Sequence, residues 1–387
     1  MKIALFIIAV LLGLAASYFF YVRYRIINTS DKQNFEAAID SEVEKSMKKG
    51  VFQGIVVGAY KDGTTFIKGY GNVNKESSQV PNAETVFQIG SISKLLTALL
   101  LQRLCDEGVV SMDATLGELL SESIVLSSSV RNVTLQQLVT HTSGFPRIPK
   151  SLIDKMTEMA GDDDPMRDPY SYLGPKYVFD YLASAEGKRK AGRFEYSNYG
   201  MGLLAHVLEV VTGEDYESMV REKVLLPLGM HHTAITLTPE MKAKLAQGYT
   251  AQGLPTPVWT FAALGGAGAY SSTAEDLMTF IQTSVAENGL ASQLLQKMSE
   301  PQFKGNTGIG WMQPSFIDRF VGNRGVVWHD GRVGGYASYL AIDKQSGAGV
   351  VVLTNQAIAA TGMLGMMLMR QARTQSWASS PPSHQSM

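Results

Sequence analysis

Ser91 and Lys94 have the types and the spacing of an acyl-transfer site. They lie in Phe87-Gln88-Ile89-Gly90-Ser91-Ile92-Ser93-Lys94, ahead of the apolar run Leu95 to Leu104. A serine hydroxyl is a poor nucleophile until a base takes its proton. Three residues apart on a helix, Lys94 shares a face with Ser91. A lysine held in a dry site loses its proton near neutral pH, because burial disfavours the charged form. A helix N-terminus adds backbone N–H groups and a positive dipole end for an anion forming beside Ser91. Together these groups can run acyl transfer through a covalent serine ester. The rival reading is a helix cap with a lysine nearby, and spacing alone does not choose. Ser-x-x-Lys occurs again at Ser46 to Lys49, inside Phe35 to Lys49. That stretch reads as an amphipathic helix with a charged face, so its lysine is expected to be solvated and protonated.

Two later motifs decide between the readings. Glu195-Tyr196-Ser197-Asn198 precedes an apolar helix, and Trp328-His329-Asp330-Gly331-Arg332 ends a β-like run. Tyr-x-Asn recurs at Tyr70 to Asn72, whereas His-x-Gly is found only at His329. The order Ser-x-x-Lys, Tyr-x-Asn, His-x-Gly is far more specific than any member. A Ser–His–Asp reading would pair Ser91 with His329 or His141. His141 sits in a helix-ending turn and reads as structural. Asp330 reads as outward-facing.

These residues need a scaffold. Gly90 permits a sharp entry into a helix. Leu95, Leu96, Leu99, Leu100 and Leu104 recur at helical spacing, and Gly108 suits the exit. Gly54 to Tyr60 and Thr64 to Tyr70 read as a hairpin around Lys61-Asp62-Gly63. From about Met112 to Thr250 the signals are mostly helical. Thr134 to Gln137 is a capping box. Pro146 to Pro175 reads as irregular, and Asp162-Asp163-Asp164 within it as a solvated loop. Tyr199 to Val211 reads as a helix closed by Gly213. His231-His232 read as surface residues, and Gly265 to Tyr270 as a close backbone approach. Ser272 to Glu275 reads as a second capping box, opening a helix to about Val285. Val326 to His329, Tyr336 to Asp343 and Gly349 to Thr354 read as strands. Ala357 to Arg373 reads as a closing helix whose methionines are core. Strands at both chain ends with helices between predict an α/β (α+β) fold. Its mixed sheet is built from the two ends and flanked by helices, with a helical insertion at about 112–250 and a cleft between the parts.

Composition narrows the class. The 387 residues carry a net charge of −1 with no basic block, so nucleic acid is not an expected partner. The single cysteine, Cys105, excludes an intrachain disulfide framework and a cysteine metal cluster, and reads as a buried thiol. Ile3 to Val22 holds no charge and is long enough to cross a bilayer. We read residues 1–25 as an uncleaved membrane anchor, with a cleaved signal peptide as the rival. Residues 26–34 read as a stalk, 35–373 as the folded domain and 374–387 as a disordered tail.

Taken together, the three motifs resemble those of the serine β-lactamase and penicillin-binding-protein superfamily. The resemblance runs from about Phe35 to Leu368 and includes Leu138 to Pro146, Leu226 to Met230, Ser272 to Leu277 and Gly349 to Asn355. The branch it is most similar to holds class C β-lactamases, D-stereospecific peptidases and related esterases. The resemblance implies the β-lactamase/transpeptidase-like fold. It implies Ser91 as nucleophile, with Lys94 and Tyr196 sharing the proton work; which is the base stays open. It implies that Asn198 holds Lys94 and a substrate amide, and that His329 and Gly331 line an edge strand. It implies an oxyanion hole from the N–H groups of Ser91 and Arg332, and no metal or organic cofactor. The β-lactamases carry Lys-Thr-Gly where this chain has His-Asp-Gly, and a neutral imidazole is a weaker anion partner than an ammonium. We therefore expect a membrane-anchored serine hydrolase acting on ester or D-aminoacyl bonds of small or cell-envelope substrates. A β-lactamase proper and a weakly active scaffold or sensor are the alternatives. Flanking charge favours a cytoplasmic C-terminal side, whereas the resemblance implies work outside; we expect the periplasm or the exterior. The oligomeric state stays open.

Overall fold

The computed structural model describes residues 35–48, 51–120, 124–161, 164, 167–185, 192–302, 307–314, 319 and 325–374. The proposed anchor and stalk, Lys49, Asp162, Asp163 and the tail from residue 375 lie outside the described residues. Among those described, no helix is long and apolar enough to cross a membrane.

The chain opens with helix α1 (Phe35–Lys48), which buries Phe35, Ile39 and Val43 at a four-residue repeat. Strands β1 (Gly54–Lys61) and β2 (Thr64–Gly71) form the expected hairpin. Its turn residues Asp62 and Gly63 both have positive φ, which suits the twist of a two-residue hairpin. Near the other end come β5 (Val327–Val333), β6 (Tyr336–Asp343) and β7 (Ala348–Thr354). The sheet order is β2-β1-β7-β6-β5, antiparallel throughout. The chain ends meet where β1 pairs with β7, Ile55 opposite Thr354.

Two-residue alternation assigns each face of the sheet to its own layer. Ile55, Val57, Ala59, Val350 and Val352 pack with α1 and the closing helix α8 (Ala360–Thr374). Val56, Val351 and Leu353 point the other way, into the main core. There α6 (Ala274–Val285) lies against β1 and β7. A two-stranded ribbon of β3 (Phe87–Gln88) and β4 (Ser271–Ser272) ties the start of the helical region to its end. Helix α2 (Ser93–Asp106) is buried without a break from Ser93 to Gln102. Helix α5 (Asn198–Thr212) packs near it, closed by Gly213 in the left-handed conformation.

Pro146 to Pro175 is not irregular throughout: it contains α3 (Lys150–Ala160), with Leu152, Met156 and Ala160 buried one turn apart, and a turn of 3₁₀ helix at Pro169–Tyr172. A second helix, α4 (Pro175–Ser184), follows directly. The cap of α6 is Thr273, not Ser272; the Thr273 side chain accepts from Asp276 N–H, while Ser272 is engaged in β4. The His329 motif lies inside β5 rather than at its end, because pairing with β6 continues to Val333. Cys105 is only partly buried, at the edge of the main core. Met369 is core, but Met363 and Met367 face solvent. Asp330 is outward-facing as expected, and His231 is exposed.

Candidate active site

The nucleophile turn is built by one glycine. Gly90 has φ +51, and residues Gly90–Ile92 make a 3₁₀ turn that feeds α2. Ser91 thus sits in the opening turn, where backbone N–H groups have no helical partner. Lys94, one turn on, is fully buried. Its Nζ lies 3.0 Å from Ser91 Oγ and donates to Ala267 C=O at 2.6 Å. Burial, with the Arg147 charge added, holds Lys94 well below the ordinary lysine value. A neutral amine that gives one N–H to Ala267 keeps its lone pair for the serine hydroxyl.

The glycine-rich stretch, singled out in the sequence only for close packing, supplies that acceptor. A Cβ on Gly266 would stand 2.7 Å from Ala205 Cβ and 3.0 Å from Met201 C=O, so only glycine lets this segment reach α5. Thr97 donates to Gly266 C=O at 2.8 Å and meets Tyr216 Oη at 2.7 Å. Neither contact has a signature readable from the chain.

Tyr196 immediately precedes the Ser197 cap of α5, whose side chain accepts from Gly200 N–H at 2.8 Å. Its hydroxyl is within hydrogen-bonding reach of Ser91, and burial pushes its ionisation well above the usual phenol range. Lys94 Nζ lies 5.0 Å from its ring centroid and the Arg147 guanidinium 5.4 Å. His141 stacks on the same ring at 4.5 Å, and its Nδ1 accepts from Ser197 N–H at 3.2 Å. His141 has positive φ, and burial keeps it neutral. It therefore buttresses Tyr196 and does not face Ser91, in line with its structural reading.

Asn198 departs from expectation. Its Nδ2 donates to Tyr170 Oη at 3.0 Å and not to the Lys94 region, and its Oδ1 is buried without a partner. Lys94 instead bonds Ala267.

His329 and Gly331 lie on β5, the sheet edge. Trp328 exchanges both backbone bonds with Met312 on the outer side. By alternation, Asp330 and Arg332 also turn their backbone groups outward, away from β6. Arg332 N–H is thereby left facing the nucleophile turn: a Cβ on Gly90 would stand 2.8 Å from Arg332 N, and one on Gly331 would stand 2.9 Å from Ser91 N. The two donors adjoin and can hold one developing oxyanion. His329 Nδ1 donates to Asp330 C=O at 2.7 Å, which fixes the tautomer. Burial holds the ring well below the ordinary imidazole value. Its Nε2 is then an unpartnered acceptor.

Ser91 opens onto two cavities. The larger, about 400 Å³, has aromatic and aliphatic walls; the smaller, about 240 Å³, holds Tyr196, His329 and Asp330. Arg147 and Arg332 border both.

The sequence profile described as Beta-lactamase matches residues 39–366. A beta-lactamase-like 1 protein of Homo sapiens is 29% identical over 314 residues, covering 74% of this chain and 57% of its own. The chain thus spans little more than half of that relative. A beta-lactamase of Pseudomonas fluorescens is 26% identical over 350 residues, covering 82% and 92%. The D-alanyl-D-alanine-carboxypeptidase/endopeptidase AmpH of Escherichia coli is 26% identical over 308 residues, covering 75% and 76%. Among solved structures, a class C beta-lactamase from Rhodobacter sphaeroides superposes with TM-score 0.72 at 22% identity, covering 88% of this chain and 98% of that one. The mixed antiparallel sheet with flanking helices is the fold of those enzymes.

Proposed function

Because this chain belongs to the beta-lactamase family of serine hydrolases, we propose that it forms an acyl-enzyme on Ser91 and hydrolyses ester or D-aminoacyl bonds. The observation that carries this reading is the 3.0 Å approach of a fully buried Lys94 Nζ to Ser91 Oγ beside two free backbone donors. In the proposed step Ser91 Oγ bonds the carbonyl carbon while its proton passes to Lys94 Nζ. The carbonyl electron pair moves onto oxygen, held by the N–H groups of Ser91 and Arg332. As the tetrahedral centre collapses, the bond to the leaving atom breaks and Tyr196 gives that atom its proton. Lys94 returns a proton to Tyr196. Water then releases the acyl group by the same route in reverse. A neutral amine as base and a protonated phenol as acid match the directions in which burial moves the two groups.

A β-lactamase proper is the second reading, supported by the Pseudomonas fluorescens relative. Against it stands His329, a neutral acceptor where those enzymes place an ammonium. We further propose that residues 1–25 anchor the enzyme in a membrane, with residues 35–373 outside the cytoplasm.

The test is intact-mass measurement of the chain with a fluorophosphonate and with a penicillin, beside Ser91→Ala. A gain with fluorophosphonate alone, lost in Ser91→Ala, is the expected result. A stable penicillin adduct would favour a penicillin-binding enzyme. No gain with either reagent would overturn the reading.

A further inference from the structure

Tyr196 distinguishes the two cavities at Ser91, because it lines only one of them. The group that hands its proton to the departing atom must border the leaving group. Tyr196 lines the smaller, polar cavity and is absent from the walls of the larger one. The leaving group therefore occupies the polar cavity, and the acyl group lies in the larger cleft.

That cleft is preformed and mostly apolar, with Arg147, Asn198 and Arg332 as its polar side chains beside Ser91. Tyr170 and Phe261 stack at 4.6 Å with 13° between planes, and Trp259 meets Tyr170 edge-on at 5.8 Å. This wall is fixed in register with the nucleophile turn. Buried Gln88, three residues before Ser91, donates to Trp259 C=O at 2.8 Å and accepts from Trp259 N–H at 2.9 Å. Trp259 Nε1 donates to Arg167 C=O at 2.8 Å, and Asn198 Nδ2 holds Tyr170 Oη. Across the cleft α3 contributes Met156 and Ile153. Ile153 is 46% exposed, an apolar side chain left in water at the mouth.

We infer that this enzyme selects extended apolar acyl groups, about six to ten carbons long or aromatic, seated between Tyr170, Phe261 and Trp259 on one side and Ile153 and Met156 on the other. The size range follows from the volume. A methylene is similar in bulk to a water, whose share of liquid volume is about 30 Å³, so a cleft of about 400 Å³ with an open mouth holds such a chain. This inference rests on the serine-hydrolase reading above.

The experiment measures kcat/KM of the full-length chain on nitrophenyl esters sharing one leaving group, with acyl chains of two to ten carbons. Burying one methylene is worth about fourfold, so the six added from acetyl to octanoyl should raise the rate constant by about 10³–10⁴ if all are buried. Ile153→Lys, at a half-exposed site that tolerates a charge, should cut the octanoyl-to-acetyl ratio by about tenfold. Phe261→Leu should cut it too, and provides a second variant. Fluorophosphonate labelling of Ser91 runs in parallel. Intact labelling with a flat or falling chain-length series would overturn the inference and leave the hydrolase reading standing. A rising series whose slope neither variant lowers would also overturn it, because the chain would then bind elsewhere. Absence of both labelling and ester turnover would remove the hydrolase reading and this inference together.

Discussion

A buried lysine without its charge sets two expectations. In the unfolded chain Lys94 binds a proton up to its ordinary value; in the fold burial holds it well below. Between those values the unfolded state carries one more proton, so this residue lowers stability increasingly as pH falls. Lys94→Met should abolish Ser91 acylation. It should also raise unfolding free energy at neutral pH and flatten its slope with pH, which denaturant titration across pH checks. The same protonation gives kcat/KM an acid limb: activity should rise with pH through the lowered Lys94 value, and Tyr196→Phe should leave that limb in place while cutting the rate. Gly331 is the third residue-scale test. A Cβ there would stand 2.0 Å from Ile89 C=O and 2.5 Å from Ser338 Oγ. Gly331→Ala should therefore part the two oxyanion donors and lower acylation by about 10²–10³, readable as slowed fluorophosphonate labelling.

Elements carry the clamps that hold these residues still. Helix α8 is pinned to the β6–β7 hairpin by Arg373 Nε on Asp343 Oδ2 at 2.5 Å, where Asp343 is almost wholly buried. Removing the guanidinium leaves the buried Asp343 carboxylate with Gln345 N–H and Ser346 Oγ as donors, so Arg373→Ala should cost about 1–3 kcal/mol in a chemical melt. Ser91 lies across the sheet from this pair, so its labelling rate in folded protein should be unchanged. At this scale the sequence was legible wherever local chemistry acted alone. The Asp62-Gly63 turn, the Thr134 cap and the Gly213 stop were readable because each is decided within a few residues. Helix α3 was missed because prolines and acidic residues flank it, and only packing reveals that Leu152, Met156 and Ala160 share a buried face. The Ala267 acceptor for Lys94 and the Gln88 clamp on Trp259 join residues more than 170 positions apart, and no spacing rule reaches that far. Ser91, Lys94, Tyr196, His329 and Arg332 lie together, and Asn198 lines the larger cavity with Ser91 but bonds Tyr170 instead of Lys94.

At the scale of the whole molecule, the anchor reading is tested by fractionation. The full chain should stay with membranes through an alkaline carbonate wash, and removing residues 1–25 should release it. Pairing of β1 with β7 has a consequence for how the chain is made. Ile55 and Thr354 are about 300 residues apart, and at about 5–20 residues per second of synthesis the first strand waits roughly 15–60 s for its partner. A lone β1–β2 hairpin is marginal and presents a bare edge throughout that interval. Closing so long a loop before its contacts form also predicts slow refolding. The nascent chain is thus exposed longest at its oldest strand, and a peptide of the β7 sequence should intercept it there.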